Sequence, residues 1–258
     1  MVSRRVACTV NSTAMTFLFA QVMLTLQSFA VQEAAIALDA PLKHVQGIET
    51  DGKRLWVSSV DKEAHTGHLH VFELATGRLL KTARIANGEM YHPGGLSIAG
   101  SSLWVPVAEY KRVGQSRIEE RDRETLELRS QFSVNDHIGC LAIAKGKIFG
   151  GNWDARKIYT WTTKGELLQE RSNPHATHYQ DMKMRGGMLI GSGVVDKEAG
   201  AIDWLFPANL KLQKRVMAGK TDRGTLYSNE GMTEYQGRVY LLPEDGPSRL
   251  FVFRVIRR

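Results

Sequence analysis

One short phrase recurs five times along this chain. It reads His44-Val45-Gln46-Gly47-Ile48, His92-Pro93-Gly94-Gly95-Leu96, Asp136-His137-Ile138-Gly139-Cys140-Leu141, His178-Tyr179-Gln180-Asp181-Met182 and Ser228-Asn229-Glu230-Gly231-Met232. With Gly47, Gly95, Gly139, Asp181 and Gly231 taken as equivalent, the steps are 48, 44, 42 and 50 residues. Self-similarity at such a period restricts the fold to a propeller or a solenoid.

Each unit reads as four strands. In the first, Gly47-Ile48-Glu49-Thr50 runs to a turn at Asp51-Gly52, and Leu55-Trp56-Val57-Ser58 follows. His68 to Leu74 then alternates polar and apolar residues, the period of a strand. Thr76-Gly77 turns the chain into Leu79 to Ile85. Later units repeat the plan, with second strands at Leu103-Trp104-Val105, Ile148-Phe149-Gly150, Met188-Leu189-Ile190 and Val239-Tyr240-Leu241. Third strands are expected at Ser116–Arg121, Lys157–Trp161, Ala201–Phe206 and Arg249–Val255. No segment sustains a helical period. Four-stranded units of this length are propeller blades, so the expectation is all-β, a five-bladed β-propeller. The fifth unit has only three strands before Arg258. The apolar run Ala34-Ala35-Ile36-Ala37-Leu38 is expected to supply the fourth, closing the ring and covering an open sheet edge. A solenoid would need distinct caps and has no use for a three-strand last unit.

Residues 1–30 read as a secretory signal peptide. Arg4-Arg5 is followed by an apolar run from Thr13 to Leu26, and Ser28-Phe29-Ala30 places small residues where cleavage is set. The run is too short to span a membrane comfortably. The expectation is therefore a periplasmic or secreted protein, free of the membrane after leader cleavage, with residues 31–258 as a single domain acting as a monomer. That domain holds 32 basic and 27 acidic residues, spread out with no basic cluster interleaved with aromatics, which argues against nucleic acid as a partner. Its single cysteine, Cys140, lies in an apolar run and reads as a buried structural thiol.

The polar residues of the phrase carry the functional expectation. Of eight histidines, His44, His92, His137, His175 and His178 fall at or just before the starts of innermost strands, which gather at one face of a propeller. Imidazole binds borderline transition metals, and near neutral pH it also exchanges protons. His44, His92 and His178 are thus candidate metal ligands, with a divalent metal as candidate cofactor. His137 and Glu230 are candidate catalytic groups. Gln46, Gln180 and Asn229 are candidate ligand-binding groups, joined by Asn152, Trp153 and Asp154, whose indole offers a stacking surface beside polar atoms. The competing structural role is that each histidine caps a strand or bonds the next blade. Trp56, Trp104 and Trp161 occupy strand positions and read as blade packing.

The His-x-x-Gly strand starts, Gly151-Asn152-Trp153-Asp154 and Asn229-Glu230-Gly231-Met232 resemble those of secreted bacterial propellers of a domain-of-unknown-function type. Gln46-Gly47-Ile48 with Leu55-Trp56-Val57-Ser58-Ser59 is also similar to the first blade of the five-bladed glutaminyl cyclases. Val57 stands where that family carries its catalytic Glu, so the resemblance implies the architecture and leaves the activity aside. The leading functional expectation is a small polar ligand bound at the channel mouth, with metal-assisted catalysis as its enzymatic form. The alternatives are a non-catalytic lectin-like or scaffold propeller and a degenerate cyclase.

Overall fold

A computed structural model describes residues 24–25, 29–85 and 88–256. Most of the expected leader lies outside them. The strands, in chain order, are β1 (Leu24–Thr25) and β2 (Ala30–Ala37), then β3 (His44–Thr50), β4 (Arg54–Asp61), β5 (Thr66–Glu73) and β6 (Leu79–Arg84) of blade 1. Blade 2 holds β7 (Met90–Pro93), β8 (Ser97–Ala99), β9 (Ser102–Glu109), β10 (Ser116–Asp122) and β11 (Leu128–Val134). Blade 3 holds β12 (Ile138–Ala144), β13 (Lys147–Asn152), β14 (Lys157–Thr162) and β15 (Leu167–Ser172). Blade 4 holds β16 (His178–Arg185), β17 (Met188–Val194), β18 (Gly200–Leu205) and β19 (Leu212–Met217). Blade 5 holds β20 (Glu230–Tyr235), β21 (Arg238–Pro243) and β22 (Arg249–Val255). The chain is a five-bladed β-propeller, with no α-helix element among the described residues.

Strand β2 completes blade 5 in the order β2-β22-β21-β20. It runs antiparallel to β22, from Ala30 opposite Val255 to Ala37 opposite Arg249. The closing strand thus begins four residues earlier than the apolar run 34–38 suggests. Ala30 is buried, and Phe29 sets its ring edge against Trp204 of blade 4 at 5.4 Å.

The apolar residues divide into five clusters, one between each pair of adjacent blades. Period two explains the division, because alternate residues of a strand face opposite sides of its sheet. In β4, Leu55 and Val57 join Tyr240, Leu242 and Val252 of blade 5, whereas Trp56 between them joins Leu96, Leu103 and Val105 of blade 2. Trp104 and Trp161 meet in the cluster between blades 2 and 3. Cys140 lies in the cluster between blades 3 and 4, where burial pushes its thiol up to about 12. It is a packing residue, as its surroundings in the sequence suggest.

At the axis the innermost strands touch. A Cβ on Gly47 would lie 2.4 Å from the Cα of Gly95, and one on Gly94 would lie 2.0 Å from the Gly139 carbonyl oxygen. Gly95 N–H donates to Gly139 O at 2.8 Å, and Leu141 N–H donates to Gly95 O at 3.0 Å, tying blades 2 and 3. The space that the glycines release goes to Asp181, the one non-glycine at the repeated position. Its Oδ2 accepts from Ile48 N–H and Met232 N–H, each at 3.1 Å, and its Oδ1 accepts from Met182 N–H and from the ammonium of Lys183. In this layer the axis is plugged, where the sequence suggests a narrow channel.

Candidate functional site

Above the plug, a cavity of about 160 Å³ opens at the face where the innermost strands start. All five blades line it, with His44 and Gln46 from blade 1, His92 and Tyr110 from blade 2, and His137, Trp153 and Asp154 from blade 3. Gln180 comes from blade 4 and Glu230 from blade 5. Larger grooves run elsewhere: one of about 450 Å³ lies on the side of blades 2 and 3, and one of about 430 Å³ adjoins this cavity at His44, lined by Asp61, Lys62, Glu63 and Glu244.

Local backbone irregularity aims these side chains. The ladder between first and second strands slips between Val45 and Ile48, Met90 and His92, Ile138 and Cys140, and Tyr179 and Asp181. Such bulges turn neighbouring side chains off the regular alternation. Blade 5 shows no slip there and bends differently, with Glu230 at φ +108°. A side chain is rarely held in that region, and the strain costs about 1–3 kcal/mol.

Two histidines form a directed hydrogen-bond chain. Nδ1 of His137 lies 2.7 Å from the Glu109 carbonyl oxygen and 3.0 Å from that of Lys111. Carbonyls only accept, so this nitrogen carries the proton. Burial lowers His137 to about 4 against the opposing pull of those carbonyls, so the ring is neutral and its Nε2 is an acceptor. His92 Nδ1 therefore donates to His137 Nε2 at 3.1 Å. Burial first, then the neighbouring His137 and His44 rings, drive His92 well below the ordinary histidine range. Its remaining nitrogen, Nε2, bears a lone pair.

Opposite stands an acidic corner. His44 Nδ1 pairs with Glu244 at 3.0 Å. The Glu244 hydrogen bond and the charges of Glu230 and Glu244 raise His44 despite the larger opposing effect of burial. The same bond to His44 lowers Glu244. The Glu230 carboxyl is buried, with no hydrogen bond to it among the described residues. Burial first, then the charges of Glu244 and Asp181, lift it to about 8 although His44 pulls it down. One donor atom from each of His44, Glu230 and Glu244 lies within 4.8 Å of the others.

The third wall is aromatic. Trp153 stacks on His92 at 6.0 Å between centroids and meets the His137 ring at 4.4 Å, edge to face. Tyr110 stands edge-on to His92 at 4.5 Å. The Arg112 guanidinium lies 5.9 Å from the Trp153 ring and pairs with Asp154, and Lys62 lies 5.3 Å from the Tyr110 ring.

Of the residues expected from the sequence, His44, Gln46, His92, His137, Trp153, Asp154, Gln180 and Glu230 come together here. His178 does not join His44 and His92. It is exposed, and burial together with Arg156 and Arg112 lowers it. Asn152 caps the turn at 152–155, its Oδ1 accepting from Lys157 N–H at 2.9 Å. Asn229 contributes backbone bonds, donating to Leu226 O and accepting from Glu244 N–H. Tyr110 and Glu244 stand at the site without an expectation from the sequence, and Asp181 enters the sequence analysis only as a member of the repeat. For Asp181 the usable signal was the break in an otherwise invariant glycine column. Val57, at the place of the cyclase acid, is fully buried between blades.

A family model described as a family of unknown function (DUF6454) matches residues 5–184, and the chain belongs to that family. No curated protein matches the chain. Among solved structures, the chain is similar to glutaminyl cyclase of Myxococcus xanthus, with a TM-score of 0.67 and 13% identity over 88% of this chain and 97% of that one. It is also similar to a chain of a nidogen/laminin complex, with a TM-score of 0.52 and 15% identity over 83% and 78% of the two chains. At these identities the likeness is one of fold.

Proposed function

We propose that the chain binds one small polar ligand in the axial cavity and that His92 takes a proton from it, making the site that of an enzyme. The observation that carries this reading is the one-way hydrogen-bond chain from the Glu109 and Lys111 carbonyls through His137 to His92. It holds a neutral imidazole with a free lone pair beside Trp153 and a buried carboxyl, which is the geometry of a general base, and burial makes it a weak one until a ligand fills the cavity. His137 is then a positioning residue. A site to which five blades each give different side chains favours one ligand per molecule over five equal blade sites. On the leader read from residues 1–30, we place this activity in the periplasm or outside the cell, with N-terminal sequencing of the mature protein as the check.

The test is thermal-shift screening of the full chain against amino acids, monosaccharides and short glutaminyl peptides, followed by titration calorimetry of any compound that stabilises it. A stoichiometry near one, with affinity lost in Trp153→Ala, is expected. A stoichiometry near five, or binding untouched by Trp153→Ala, overturns the axial site. The glutaminyl peptides also report cyclisation, which the burial of Val57 argues against.

A further inference from the structure

We propose that His44, Glu230 and Glu244 hold one divalent transition cation, of the zinc or manganese kind, where the axial cavity meets the groove beside it. This rests on the reading of that cavity as the ligand site. The three donors come from separate segments: the start of β3, the start of β20 and the loop after β21. Within one molecule they converge to 4.8 Å or less. Donors around a tetrahedral cation bound at about 2.0–2.2 Å stand about 3.3–3.6 Å apart, so side-chain shifts of about 1 Å close the site.

A second observation is independent of that convergence. Glu230 is only 6% exposed, lines the cavity, and has no hydrogen bond to its carboxyl among the described residues. A carboxyl that faces the cavity from a largely buried residue, without a protein partner and beside a second carboxylate, is the kind of group that a cation satisfies. The backbone at Glu230 is held at φ +108° to deliver it there. Strain of that kind gathers at ligand sites.

The donor set selects the class of cation. One imidazole and two carboxylates suit zinc or manganese better than the soft thiophilic metals, and the cavity offers no thiolate. Three protein donors leave a coordination position open, which separates a working site from a closed structural one. His92, whose ring lies 6.4 Å from that of His44, borders the same space with its free nitrogen.

The experiment is titration calorimetry of the EDTA-stripped full chain with zinc sulfate and with manganese chloride, together with elemental analysis of the reloaded protein. One cation per molecule is expected. His44→Ala and Glu244→Gln should each lower its affinity by more than about tenfold, while His65→Ala, which removes an exposed imidazole elsewhere, leaves it unchanged. Glu244 is 47% exposed, so its replacement does not put folding at stake. Absence of stoichiometric binding, or binding undiminished in both variants, overturns the proposal. If the stripped chain takes a polar compound one to one but no cation, the cation site falls and the ligand reading stands. Cation binding without any compound gives the reverse.

Discussion

Two buried carboxyls lie near the axis of this propeller, one in its middle and one at its mouth, and their surroundings differ in every respect that matters. Asp181 is fully buried and fully engaged, by three backbone N–H groups and the Lys183 ammonium. Burial raises it to about 6, with Lys183 the main restraint. Glu230 is almost as buried, has no such partners, sits on strained backbone and rises to about 8. Equal burial thus serves opposite ends. The first carboxylate holds three blades together, and the second faces the cavity without a protein hydrogen bond, on backbone whose strain costs the fold. Protein stability is marginal, so a cost of that kind persists only where something else draws on it.

The contrast is sharpest in truncation. Asp181→Ala leaves Lys183 buried without its counter-ion and should cost about 3–5 kcal/mol in urea unfolding. A loss under about 1 kcal/mol would erase the distinction between the two carboxyls. The next largest effect is on pH dependence. In the metal-free chain, folded Glu230 keeps its proton up to about 8, whereas the unfolded chain releases it near 4.5. Between these values the unfolded state binds fewer protons. The stability linked to this group is therefore complete below about pH 4.5 and is lost as pH rises through 8. Stability of the parent minus that of Glu230→Gln should fall by about 2–4 kcal/mol between pH 5 and pH 9. Asp181 is present in both proteins and largely cancels, and a flat difference would place Glu230 in water. The smallest effect has the opposite sign. Glu230→Gly relieves a positive φ that glycine adopts freely and should raise stability by about 1–2 kcal/mol while abolishing cation binding. Asp181→Gly should lower it. If both glycine variants destabilise alike, the mouth carboxyl is structural after all.

The blades were legible because their signals are local. Alternation in His68–Leu74, the glycine turns and the repeated phrase need no knowledge of the rest of the chain. The closing strand was legible too, since a three-strand blade and an apolar run near the chain start complete one another. Which residues gather at the mouth was readable from the histidine spacing, but their directions were not. Each phrase contains a bulge or a positive φ, and a slip of one residue sends a strand side chain to the other face. Thus His44 and His92 turn into the cavity while His178, at the same repeat position, turns to solvent. Glu244 was hidden for another reason. It reaches His44 across the junction of blades 5 and 1, which are adjacent only because the ring closes.

That closure also sets an order on events. The strand Ala30–Ala37 leaves the ribosome near the beginning, yet its partner Arg249–Val255 is made some two hundred residues later. Pairings of such separation form slowly, because the chain must give up the freedom of the whole intervening loop. A strand made early thus waits for a neighbour made late. Until the two pair, blade 5 presents an unpaired edge at β22, the outer side of the blade whose inner side carries Glu230.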